Sequence, residues 1–189
     1  MTGIIDDTED NVFLSKSYLA HRDLFNYIVS RTNKSDYIIC YFHNLKYDSA
    51  ILSPLFKYTG SVEKSGNIYG IDILYRGRTI HLRDSYKLIP CALRDFKKTF
   101  QLNLGKKEAI AYSFYKTHTS DTADIKEYMS HLHEHEVPIF LEALRDDPIL
   151  FDYDEKNNTF NCIKYYKYYL SLDVLVLREG LRSFTRDIS

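Results

Sequence analysis

Apolar and polar positions follow two different rhythms along this chain, and each change of rhythm marks an element. Gly3–Asp6 and Asn11–Leu14 are short apolar-bearing runs, predicted as strands. From about Tyr18 to Arg31, Leu19, Leu24, Phe25 and Ile28 form the apolar stripe of a helix. After a polar break at Thr32–Asp36, Tyr37–Phe42 is a nearly continuous apolar run, predicted as a strand buried on both faces. It ends at His43–Asn44, and a helix carrying Ala50, Ile51 and Leu55 is predicted to start near Asp48–Ser49. Alternation then runs through Ile71, Ile73 and Tyr75, turns at Arg76-Gly77, and resumes at Ile80 and Leu82, which spells a β-hairpin.

Pro90 can open a helix that places Leu93, Phe96, Lys97 and Phe100 in sequence. Lys116–Asn161 is polar and acidic; a helix is predicted over about Ile125–Leu144, broken near Pro138, followed by an irregular insertion. A well-patterned helix closes the chain from about Ile163 to Phe184. Strand–helix alternation with one hairpin implies an α/β fold with a mixed sheet, read as a single domain over residues 1–189.

Composition narrows the function. An apolar fraction of 44% with 27% charged residues is that of a globular domain, not a disordered chain. A net charge of −1 argues against a long duplex-DNA footprint, and is compatible with a short single-stranded end held in an acidic cleft. Cys40, Cys91 and Cys162 are scattered and odd in number, which points to a reducing intracellular compartment. There is no basic start and no apolar run of membrane-spanning length, so neither secretion nor insertion is expected.

Two clusters carry candidate chemistry. Tyr41-Phe42-His43-Asn44-Leu45-Lys46-Tyr47-Asp48 delivers polar groups at the C-terminal end of a strand, where open α/β sheets place ligands. Asp48 suits a hard divalent cation and Asn44 a sugar or phosphate; the alternative is an Asx turn at Asn44 and a helix cap at Asp48. In the last helix, Tyr169 and Asp173 stand one turn apart on one face; the alternative turns Asp173 to solvent. Together they suit two-metal phosphodiester hydrolysis, with Asp48 and Asp173 as metal ligands and Tyr169 orienting the attacking water.

Phe42-His43-Asn44-Leu45-Lys46-Tyr47-Asp48 resembles the second exonuclease motif of family B DNA polymerases, in the form seen in protein-primed enzymes of viruses and linear plasmids. Tyr169-x3-Asp173 is similar to their third motif, and Ser85-Tyr86-Lys87-Leu88-Ile89 to the Ser/Thr-Leu-x2-hydrophobic motif that contacts single-stranded DNA and the priming protein, with Tyr86 in place of leucine. Lys107-x2-Ile110 matches the Lys-x2-hydrophobic motif, Lys106 competing for that role. The four motifs occur in family order over nearly the whole chain. The resemblance implies an RNase H-like (DnaQ-like) exonuclease fold, Mg²⁺ or Mn²⁺ dependence and removal of mismatched 3′ nucleotides. His43, Asn44 and Tyr47 would hold the 3′-terminal single strand, Ser85, Tyr86 and Lys107 would also bind DNA, and Tyr47 and Tyr86 could stack on bases. A terminal (priming) protein and the polymerase domains would be partners.

The family's opening Asp-x-Glu motif fits poorly. Asp7-Thr8-Glu9 has the letters, but only one strand and one helix fit between it and Asn44. Asp7 and Glu9 are therefore expected in a hairpin turn and the true first strand is expected to be absent, as are the palm and thumb. Such a site should cleave weakly or not at all. The competing expectations are a non-catalytic module that binds single-stranded DNA or the priming protein, and a remnant with neither activity. His131-Leu132-His133-Glu134-His135-Glu136 reads as a solvated charged helix face rather than a metal site, since only His131 and His135 would share a face. Lys97, Lys98, Lys106, Lys107 and Arg94 make a modest basic stretch, either along DNA or solvated.

Overall fold

The structure is a computed structural model that describes residues 2–5, 10–13, 19–104 and 108–188. The chain divides into two compact units: residues 1–103 with 174–189, and residues 104–173.

The first unit is built on a four-stranded mixed sheet. Strands β1 (Thr2–Ile5) and β2 (Asp10–Phe13) form a separate antiparallel pair, followed by helix α1 (Leu19–Arg31). Strand β3 (Ile38–Phe42) leads into α2 (Leu45–Leu52), and β4 (Lys57–Lys64), β5 (Asn67–Tyr75) and β6 (Arg78–Asp84) follow as a meander. The sheet order is β3-β6-β5-β4, with β3 parallel to β6 and the rest antiparallel. Leu24, Phe25 and Ile28 of α1 and Leu45 and Leu52 of α2 bury one face of the sheet through Ile38, Ile71, Ile73, Ile80 and Leu82. The mixed sheet with flanking helices agrees with the α/β, RNase H-like expectation.

Both hairpins close as the twist of paired strands requires. Arg76 and Gly77 have φ of 49° and 74°, and Ser65 and Gly66 have 52° and 74°, the double left-handed signature of tight hairpin turns. The first turn was legible in the sequence. The second belongs to β4, whose residues are all exposed, so no apolar alternation announced it. Pairing of β4 with β5 slips twice, between Tyr58 and Gly60 and between Val62 and Glu63.

Three other expectations change. Strand β3 is not buried on both faces: Ile39 and Tyr41 are each 44% exposed. As the edge strand of its sheet it packs only through its α1-facing side among the described residues. Helix α2 begins at Leu45, three residues earlier than expected, because Asn44 adopts the left-handed conformation (φ 71°, ψ 56°) and turns the chain at once. Pro90 does not open a helix: Leu93–Asp95 forms a 3₁₀ turn running into the short α3 (Phe96–Thr99).

Phe96 is fully buried, and its ring fills the space over Gly180. A Cβ at Gly180 would overlap that ring. Gly180→Ala is therefore expected to cost about 2 kcal/mol, measured by denaturant unfolding, and Phe96→Leu in the same chain should recover part of it.

The second unit contains β7 (Thr122–Asp124) paired with β8 (Thr159–Asn161), α4 (Ile125–Met129), α5 (Val137–Asp146) and residues 162–173 of α6 (Cys162–Ile188). The predicted break near Pro138 is present, with Pro138 in the first turn of α5. The stretch predicted as irregular supplies Phe151 and Phe160 to an aromatic core that also contains Phe114, Tyr128, Phe140 and Tyr165, all buried. Tyr165 donates to the Ala109 carbonyl at 2.8 Å, and Tyr128 accepts from the Ala111 N–H at 3.1 Å, so the phenol tips are satisfied inside.

Candidate functional site

The polar cluster in the first unit stands where β3 and β6, running parallel, both end. Phe42 pairs with Asp84, so the chain leaves β3 beside the Asp84 carboxylate. Strict alternation places Asp84 on the same face as Ile80 and Leu82, and it is buried. A buried carboxylate needs donors. Oδ1 of Asp84 accepts from the Asn44 N–H at 2.9 Å and from the Tyr86 N–H at 3.0 Å. One carboxylate thereby fixes both the turn that carries Asn44 and the 3₁₀ turn at Ser85–Lys87. Sequence patterning missed Asp84, although its alternation with Ile80 and Leu82 was the available signal.

Asn44 spends about 1 kcal/mol in the left-handed region, where asparagine is better tolerated than most residues. It precedes α2 without capping it through its side chain. The Asx-turn and cap alternatives are thus not what the geometry uses: Asp48 lies in the first helical turn of α2 rather than at its cap. Tyr47, 72% exposed, presents its ring to solvent, and Tyr86 is exposed as well. His43 and Ser85, expected to hold DNA, are engaged internally. His43 lies within hydrogen-bond distance of Ser85 Oγ and the Cys91 carbonyl, and Ser85 is fully buried. Lys107, Lys106, Asp7 and Glu9 lie outside the described residues.

Burial, followed by the nearby Asp84 charge, pushes the Asp48 carboxyl up to about 6, against an ordinary 3.8. Between these two values the folded state binds more protons than the unfolded chain, so stability falls as pH rises from about 4 to about 6 and stays lowered above that. The full shift corresponds to ~3 kcal/mol; partial exposure of Asp48 reduces it to ~1 kcal/mol. Asp48→Asn is expected to be more stable than the parent by that amount at pH 7.5 and equal to it near pH 4, read from thermal melts without divalent metal. Equal melts at both pH values would show that the carboxylate carries no penalty.

In the second unit, Tyr169 and Asp173 share one face of α6, as their spacing predicted, and their side chains are hydrogen-bonded. A carboxylate only accepts, so Tyr169 donates to Asp173. The hydroxyl of Tyr112 lies 2.8 Å from that of Tyr169, which makes Tyr112 the donor to Tyr169. Burial, then Tyr112 and Asp173, holds the Tyr169 phenol far above its ordinary range, so it remains a neutral donor at working pH. Tyr112 had no motif to reveal it. A cavity of about 400 Å³ lined by Tyr112, Tyr169, Ser113 and His131 opens beside this pair.

A family model described as DNA polymerase type B, organellar and viral, matches residues 29–189. The chain belongs to the organellar and viral type B DNA polymerases. Nothing matched among curated proteins or among solved structures. As a domain of such a polymerase, its work belongs to DNA replication.

The polymerase family implies a divalent metal. Asp48 and Asp173 offer hard oxygen ligands suited to Mg²⁺ or Mn²⁺, and the raised Asp48 carboxyl is what a cation would relieve. Among the described residues, no group of three or more His, Cys, Asp or Glu gathers closely enough to hold an ion. The histidine stretch takes a different form from that expected. α4 stops at Met129, His131 Nδ1 meets Ser113 Oγ at 2.9 Å, and His133 precedes a 3₁₀ turn at Glu134–Glu136, so no common helix face exists.

Proposed function

We propose that this domain is the 3′–5′ exonuclease (proofreading) domain of a protein-primed DNA polymerase, acting on the single-stranded 3′ end of DNA. The observation that carries this reading is Asn44, strained and anchored by buried Asp84, followed one helical turn later by a desolvated carboxylate at Asp48. Asp48 and Asp173 are the metal-ligating carboxylates, for Mg²⁺ or Mn²⁺. When bound, the metal supplies charge stabilisation for phosphodiester hydrolysis. Tyr169, held as a neutral donor between Tyr112 and Asp173, orients the attacking water. Asn44 contacts the terminal nucleotide, and the exposed rings of Tyr47 and Tyr86 stack on bases. The terminal protein and the polymerase domains are its partners.

The deciding experiment is degradation of a 5′-labelled single-stranded oligonucleotide with Mn²⁺. Stepwise shortening from the 3′ end, lowered on the order of a hundredfold or more by Asp48→Ala and by Asp173→Ala, is the expected result. The second reading, a module that binds single-stranded DNA or the priming protein without cutting, draws on the small number of gathered acidic ligands among the described residues. It gains the case if the oligonucleotide stays full length while bound. Tyr112→Phe, which removes the donor to Tyr169, is expected to lower the rate about tenfold with little change in stability.

A further inference from the structure

The His43 ring sits where three segments meet: its own turn after β3, the turn at Ser85–Lys87, and the stretch through Cys91. Nδ1 lies 3.1 Å from Ser85 Oγ, and Nε2 lies 2.9 Å from the Cys91 carbonyl oxygen. A carbonyl only accepts, so Nε2 carries a proton. The Ser85 hydroxyl also donates to the Phe42 carbonyl at 2.9 Å. With a neutral ring, one Ser85 proton must serve two acceptors, His43 Nδ1 and Phe42. Tyr86 and Phe96 close edge-on against the ring, with centroids 5.4 Å and 5.0 Å away. Neither ring nitrogen is left to meet a nucleotide.

We propose that His43 is a positioning residue rather than a strand contact. It clamps the Asn44 turn to Ser85 and to the Cys91 carbonyl, so that Asp84 can hold Asn44 in its left-handed conformation. What Asn44 is held for rests on the nucleotide-contacting role given above. The titratable groups facing the ring are Asp84, Tyr86 and Cys91. Burial lowers the His43 pKa below its ordinary range, while the Cys91 carbonyl and the Asp84 charge oppose the shift. Protonation adds a hydrogen at Nδ1, which then donates to Ser85 Oγ and leaves the Ser85 hydroxyl to Phe42 alone. The clamp therefore stays closed when the ring is charged.

The test reads the three-bond HN–Hα coupling of Asn44, which reports its φ, by NMR in the whole chain, alongside binding of a 5′-labelled single-stranded oligonucleotide without metal. His43→Ala and Ser85→Ala should change the Asn44 coupling in the same direction, and the double variant should add little to either. Each should weaken oligonucleotide binding about tenfold, the usual scale for a residue acting through a neighbour. If His43→Ala fails to fold, His43→Gln, which keeps one donor, carries the same comparison. An Asn44 coupling unchanged by His43→Ala while oligonucleotide binding drops would make His43 a direct contact and overturn the proposal. So would a Ser85→Ala variant that leaves Asn44 in place. An oligonucleotide that does not bind the parent chain counts against the exonuclease reading alone, because the Asn44 coupling reports the clamp without it.

Discussion

Replacing Asp84 by alanine is expected to lower stability by about 3 kcal/mol and to release the turn that carries Asn44. The carboxylate is buried, and its Oδ1 is the acceptor for both the Asn44 and Tyr86 N–H groups. Truncation leaves two part-buried donors without it, and each such loss costs about 1–3 kcal/mol, the lower end applying where water can reach. The strain of Asn44 then loses the hydrogen bond that opposes it directly, and the residue relaxes out of the left-handed region. Asp84→Asn separates shape from charge: its side-chain oxygen can still accept, so stability should fall by only about 1 kcal/mol. Because the Asp84 charge helps raise the Asp48 carboxyl, the same variant should move the Asp48 titration toward lower pH. Urea unfolding of both variants and an NMR titration of Asp48 measure this. An alanine variant as stable as the parent would mean that the two N–H groups find other acceptors.

A loss of about 4 kcal/mol is expected for Phe140→Ala. Phe140 is fully buried, with the rings of Tyr128, Phe160 and Tyr165 at centroid distances of 4.7, 5.1 and 5.3 Å. Three large rings cannot collapse into the space of a fourth without leaving their rotamers, so most of the cavity remains. The damage should extend beyond stability. Tyr128 holds the Ala111 N–H, and Ala111 immediately precedes Tyr112, the donor to Tyr169. Phe140→Leu, which refills part of the volume, should recover roughly half of the loss. Calorimetric unfolding of the pair checks both values, and a loss below 1 kcal/mol for alanine would show that this core is loosely packed.

The elements legible in the sequence were those with a long apolar rhythm. The stripe of Leu24, Phe25 and Ile28, the alternation of Ile71 and Ile73 against Ile80 and Leu82, and the last helix each bury a continuous face. Strand β4 buries nothing, and β7 and β8 are three residues long, too short for any period to show. At the candidate site, Asn44, Asp48, Tyr169 and Asp173 stood out because residue type and spacing together carry their chemistry. Asp84 and Tyr112 did not, because their importance comes from one hydrogen-bond partner remote in sequence. His43 and Ser85 were visible as motif residues but not as each other's partners, since 42 positions separate them.

Strand β4 also bears on how the domain behaves at high concentration. It forms one border of the sheet, and an uncovered border can recruit a strand from another molecule. Lys57 and Lys64 stand at its two ends, Glu63 lies beside the second, and its two slips of register interrupt the row of outward N–H and C=O groups. A second copy approaching this border would meet like charge and mismatched spacing, so fibrillar stacking through β4 is disfavoured even though Tyr58 and Val62 are exposed there.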